Sequence, residues 1–104
     1  MRAPEFEPDL LLGAAYPAIR AGRLAEAEKL IDQAEAIRPT SRASVFRARL
    51  LYERHKYAQA VASIEKGKAY GDVWFPQYEK MRLAFIESAR TGKPSGIAFE
   101  EPVK

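Results

Sequence analysis

The chain has 104 residues, 47% of them hydrophobic and 30% charged, with a formal net charge of +3. This is the composition of one small globular domain with a modest core, and the basic excess is slighter than nucleic-acid-binding domains usually carry. The absence of cysteine excludes disulfide staples, thiolate catalysis and cysteine-ligated zinc, and the single histidine excludes two-histidine metal sites.

The opening MRAPEFEP, residues 1–8, reads as a flexible segment that adds little to the fold, part of which need not be native sequence. A first helix is expected over roughly 8–21, with Pro8 in its first turn. Pro17 lies inside it and predicts a kink, at about 3 kcal/mol if nothing compensates. The run LLLGAAYPA has the apolarity of a signal-peptide core, yet Glu5, Glu7 and Asp9 precede it where such a peptide needs positive charge. It reads as a helix of the mature fold. No stretch approaches the ~20 apolar residues of a membrane span, and the expectation is a cytoplasmic protein.

The next stretch, GRLAEAEKLIDQAEAIRP (22–39), places Leu24, Ala27, Leu30, Ile31, Ala34 and Ile37 at three- and four-residue steps, one apolar stripe. Glu26, Glu28 and Asp32 read as solvated charge on its open face. Pro39 ends the helix. SRASVFRARLLYER (41–54) follows, with Thr40 or Ser41 available as N-cap. At 100° per residue it shows two apolar sectors, Val45, Ala48, Leu51 and Tyr52 in one and Ala43, Phe46 and Leu50 in the other. A helix apolar on two sides is packed on two sides, so it belongs in the middle of the domain. Two polar wedges remain on it, Arg42/Arg49/Glu53 and Arg47/Arg54.

A looser copy of the 22–39 stretch begins 33 residues on, HKYAQAVASIEKGKAYGD (55–72), with Tyr57, Ala60, Val61, Ile64 and Gly67 as its stripe. His55 stands where the first copy has Gly22 and reads as a turn residue, since histidine tolerates the left-handed conformation. A last helix is expected over about 76–91, burying Tyr78, Met81, Phe85 and Ala89, with Trp74 and Phe75 at its entrance. Gly92 is its cap and Pro94 its stop. Residues 92–104 read as an extended or disordered tail. No period-2 run flanked by hairpin turns is present, so the fold class is all-α.

Helix, tight turn, helix, repeated after 33 residues, is the period of a helical-hairpin repeat. The 22–39 stretch resembles the second half of a tetratricopeptide (TPR) repeat. Gly22 matches its turn glycine, Leu24 and Ala27 the large and small residues of its second helix, Ile31 and Ala34 the next packing positions, and Pro39 its terminal proline. The second copy keeps Tyr57, Ala60, Ile64 and Gly67 but has His55 and Asp72 at the glycine and proline positions. The first helices of each unit match the family poorly. The resemblance covers two repeats and a capping helix over 9–91. It implies stacked antiparallel hairpins in a short right-handed superhelix of about five helices.

Catalytic constellations are nearly absent, and the expectation is a non-enzyme that needs no cofactor and no metal. TGKPSG lacks the glycine and the Ser/Thr of a phosphate loop. In TPR-like proteins the first helix of each hairpin lines a groove that holds a peptide or partner helix. By that resemblance the groove residues are Arg42, Val45, Arg49, Tyr52 and Glu53 of the second unit and Leu12, Tyr16, Ile19 and Arg20 of the first. Two arginines beside a tyrosine suit a carboxylate clamp; a plain solvated arginine stripe fits the same pattern equally well. The family's clamp members take acidic chaperone tails, but their full lysine/asparagine pattern is not met here.

The expected role is therefore a protein-interaction module, an adaptor, scaffold or co-chaperone, whose partner is an acidic peptide or an amphipathic helix. Two repeats are few, and small bacterial TPR-like co-chaperones of type III secretion needle subunits resemble this design. GIAFEEP in the tail, with Ile97 and Phe99 before Glu100 and Glu101, is a peptide that such a groove would accept, its own or a neighbour's by self-association. The rival reading is RNA or DNA binding through Arg38, Arg42, Arg47, Arg49, Arg54 and Lys56. The separation of these residues into distinct wedges disfavours it.

Overall fold

The computed structural model describes residues 7–100, and every described regular element is helical. The order is α1 (Glu7–Arg20), α2 (Leu24–Ile37), α3 (Ser41–Glu53), α4 (Tyr57–Ala69) and α5 (Pro76–Thr91). The expected flexible segment over 1–8 falls mostly outside the described residues. Its last two residues correct it, because α1 already begins at Glu7 and Pro8 is fully buried.

Three-residue turns join α1 to α2, α2 to α3 and α3 to α4, which forces consecutive helices to run antiparallel. α1 packs on α2 and α3 on α4 as hairpins; α2 lies on α3, and α5 closes on α4. The result is a stack of helical hairpins, as expected. The two turns opening α2 and α4 share one backbone trick. Gly22 has φ 82 and His55 has φ 62, so the histidine adopts the left-handed conformation that the first copy assigns to glycine. The ring is held there by Nδ1, 3.0 Å from the Tyr57 hydroxyl.

α1 runs without a break through Pro17. The carbonyl that loses its N–H donor belongs to Gly13, and Gly13 and Pro17 are both exposed, so water can satisfy it. α3 starts at a doubly capped end. Thr40 accepts from the Ala43 amide at 3.0 Å, and the Asp72 carboxylate accepts from the Ser41 amide, both oxygens at 3.2 Å. Asp72, which departs from the repeat's proline, thus ties the loop after α4 to the head of α3.

α3 is the central helix. Val45, Ala48 and Tyr52 are buried on one side and Ala43, Phe46 and Leu50 on the other. Its wedge Arg47/Arg54 faces α2: Arg47 bridges Asp32 at 2.5 Å and Glu35 at 2.7 Å, and Arg54 pairs with Glu28 at 3.0 Å. The α2 carboxylates read as solvated charge are therefore largely tied down as ion pairs, including Glu26 with Arg23 at 3.2 Å. The remaining stripe expectations hold, with two corrections. Ile37 is 44% exposed because the chain leaves the core at Pro39, and on α5 it is Ser88, not Ala89, that turns inward.

Close approach sets the α3–α4 contact. A Cβ on Gly67 would stand 2.9 Å from the Ser44 Cβ and 3.1 Å from the Ser41 carbonyl oxygen. Ser41 Oγ donates to the Gly67 carbonyl at 2.5 Å across the same gap. At α5, Trp74 and Phe75 both meet the Tyr78 ring edge-on, so the aromatic entrance is as expected.

Candidate functional site

The residues after α5 do not leave the domain. Gly92 caps the helix with φ 75, and residues 95–99 lie against the face that α1 and α3 share. Three side chains hold this segment by its backbone. The Tyr52 hydroxyl accepts from the Ser95 amide at 2.9 Å and the Gly96 amide at 3.1 Å. Arg49 Nη1 donates to the Ile97 carbonyl at 2.8 Å. The Tyr16 hydroxyl donates to the Phe99 carbonyl at 3.0 Å and accepts from Arg20 at 2.9 Å.

Phe99 is the anchor, with 5% of its surface exposed. Its ring lies 5.0 Å from the Tyr16 ring, 5.1 Å from Phe46 in an edge-on contact, and 5.5 Å from the Arg49 guanidinium. Such aromatic pairs contribute about 0.5–1.5 kcal/mol beyond the area they bury. Ile97 is partly buried, whereas Ser95, Gly96, Ala98 and Glu100 face solvent.

Arg49 is the centre of the site. It is 8% exposed, pairs with Glu53 at 2.8 Å one turn on, and stacks over Tyr52 at 4.9 Å. Its Nε is buried with no hydrogen-bond partner. Tyr52 in turn stacks on Phe85 of α5, rings 4.8 Å apart. Burial alone would raise the Tyr52 phenol; bonds from the Ser95 side chain and the Gly96 and Ser95 amides, with the Arg49 charge, outweigh it and lower the pKa.

Of the residues expected to line the groove, Tyr16, Arg49 and Tyr52 touch the segment, and Arg20 and Glu53 brace Tyr16 and Arg49 respectively. Leu12, Val45 and Ile19 are 0%, 0% and 4% exposed with the segment in place and lie in the same buried cluster as Phe46 and Phe99. Arg42 does not join Arg49 in a clamp: it pairs with Asp9 at 3.1 Å and covers the Phe46 ring at 5.2 Å. Phe46 was not named as a groove residue, although its place in the second apolar sector of α3 carried that signal.

In comparisons with protein-family models, curated proteins and solved structures, nothing matches this chain. Among the described residues no group of three or more His, Asp or Glu side chains could hold a metal ion, and no helix is long and apolar enough to cross a membrane.

Proposed function

We propose that this chain is a non-catalytic protein-interaction module, built on TPR-like hairpins, that holds an extended peptide across the α1–α3 face. One observation carries the reading: a peptide already lies there, the chain's own residues 95–99, bound through backbone groups and a buried phenylalanine. Backbone bonds supply affinity that any sequence can use, and the aromatic pocket supplies selection. An adaptor or co-chaperone in the cytoplasm needs both.

Nucleic-acid binding draws less support. Arg42, Arg47, Arg49 and Arg54 are each paired with a carboxylate, so phosphate would have to displace an acidic partner at each.

The test is peptide display on the full chain carrying Phe99→Ala, which vacates the pocket. Enrichment of a shared motif that disappears when Arg49→Ala is added supports the proposal. Enrichment that is indifferent to Arg49 places any binding elsewhere and sinks it.

A further inference from the structure

Every hydrogen bond described between residues 95–99 and the helices ends on a side chain of α1 or α3, and none joins the helix backbones. The segment turns at Gly92 and again at Gly96, both in the left-handed conformation with φ 75 and φ 76. It is laid on a stack whose hairpins are closed by contacts of their own. From this we infer that residues 94–100 are a tethered competitor of the peptide groove, and that the partner admitted in their place is an extended segment of the same pattern: a hydroxyl residue, an aliphatic and an aromatic at alternate positions. The inference rests on the groove reading above.

The pattern follows from the contacts. Ser95 Oγ lies 3.2 Å from the Tyr52 hydroxyl, Ile97 packs against the core cluster, and Phe99 fills the pocket of Tyr16, Phe46 and Arg49. Ala98 points to solvent and carries no selection, whereas Gly96, also exposed, is favoured by its left-handed φ of 76. Arg20, bonded to the same Tyr16 hydroxyl that holds the Phe99 carbonyl, puts a cation near the point where the chain continues to Glu100, so a carboxylate after the aromatic suits the exit.

Competition follows from the tether. A short flexible linker holds its ligand at an effective concentration on the order of millimolar. A free peptide at micromolar concentration meets a groove already filled, and only a partner of higher affinity or a released tail opens it.

The probe is a fluorescein-labelled synthetic peptide, KPSGIAFEEPVK, titrated by fluorescence anisotropy into three full-length chains: wild type, Gly96→Val and Phe99→Ala. Gly96 is exposed and its added Cβ would meet nothing within 4 Å, so Gly96→Val disturbs only the left-handed tail backbone and leaves the helices intact. A β-branched residue at that φ weakens tail docking by about tenfold. The expected result is probe binding severalfold and up to about tenfold tighter to Gly96→Val, and at least tenfold tighter to Phe99→Ala, than to wild type. The same probe with its phenylalanine changed to alanine should bind at least tenfold more weakly.

Equal binding to wild type and Gly96→Val overturns the competitor, and so does light scattering that shows wild type paired through exchanged tails. Failure of the probe on every chain, or indifference to its phenylalanine, overturns the pattern. If display on the Phe99→Ala chain still yields an Arg49-dependent motif, only this inference falls and the groove stands. If display yields none, both fall. Should Phe99→Ala lose its helical circular dichroism, Gly96→Val alone decides the probe arms.

Discussion

The Arg49 guanidinium packs over the Phe99 ring, 5.5 Å from its centre, although 50 positions separate the two residues in the chain (99 − 49). The same group donates to the Ile97 carbonyl and pairs with Glu53. One buried cation thus links the middle of the central helix to the end of the chain.

Arg49→Ala removes a charge-assisted bond to the tail and the ring contact together. Hydrogen bonds to charged groups contribute about 1.5–3 kcal/mol, and a loss of that order is expected in urea denaturation. The Ser95 and Gly96 amides should lose protection in hydrogen exchange before any helix does. Arg49→Lys keeps the charge but not the planar fork that serves Ile97 and Glu53 at once, and should recover under half of the loss. Full recovery by lysine would show that charge alone matters.

Acid should act at the other end of the domain. Glu79 accepts from Arg82, from the Trp74 indole at 3.1 Å and from Lys68 at 3.1 Å, and the Arg82 bonds above all pull its pKa down to about 2. Its folded value lies below its ordinary value of 4.5. The carboxylate's contribution is therefore complete above pH 4.5 and drains away as the pH falls towards about 2. Glu79→Gln should flatten the wild-type fall in Tm across that window while lowering Tm at neutral pH. Because Trp74 is the one tryptophan, its fluorescence should shift over the same range. Parallel Tm curves for the two chains would refute the assignment.

How much of this was legible in the sequence depended on distance along the chain. Helix starts and stops are written locally, in Thr40, Pro76 and Gly92, and the double apolar face of α3 sufficed to place it centrally. The groove needed more. Tyr52, Arg49 and Tyr16 could be named because helical spacing projects them to one side; the same projection named Val45 and Leu12, both fully buried in the cluster that Phe99 joins. Spacing gives a direction and not a depth. Ion pairing was illegible for a related reason: Arg47 meets Glu35 and Arg42 meets Asp9 across helix packings that no local pattern encodes. Ile97 and Phe99 marked the tail as a peptide suited to the groove. Their seat on Arg49 and Tyr16 becomes visible only once α1 and α3 lie side by side.

Gly67 gives a packing test with an internal control. Alanine is the better helix former by about 1 kcal/mol, so a free site should gain from the change. Its Cβ would lie 2.9 Å from the Ser44 Cβ, on a backbone pinned by the Ser41 hydroxyl. Overpacking of that kind costs about 1–3 kcal/mol, and the clash should win. Gly13→Ala, in α1 with nothing within 4 Å, should instead gain up to about 1 kcal/mol. Urea midpoints of both variants decide it. A stabilised Gly67→Ala would mean that α3 and α4 can separate without cost.

Tyr52→Phe separates tail from fold. The ring stays, with its stacking on Phe85 and its contact to Arg49, and only the hydroxyl that receives the Ser95 and Gly96 amides is lost. Ser95 and Gly96 are exposed, so water can take over their amides, and the net cost should be about 1 kcal/mol. Hydrogen exchange should show those two amides freed, with α1, α3 and α4 as protected as in wild type. A tail that merely completes the core would behave otherwise. Its loosening would then lower protection in the helices by the same factor, because a single cooperative unit opens all at once. Exchange confined to the tail therefore means that the groove can empty while the hairpins stay folded, which is what an exchangeable ligand requires.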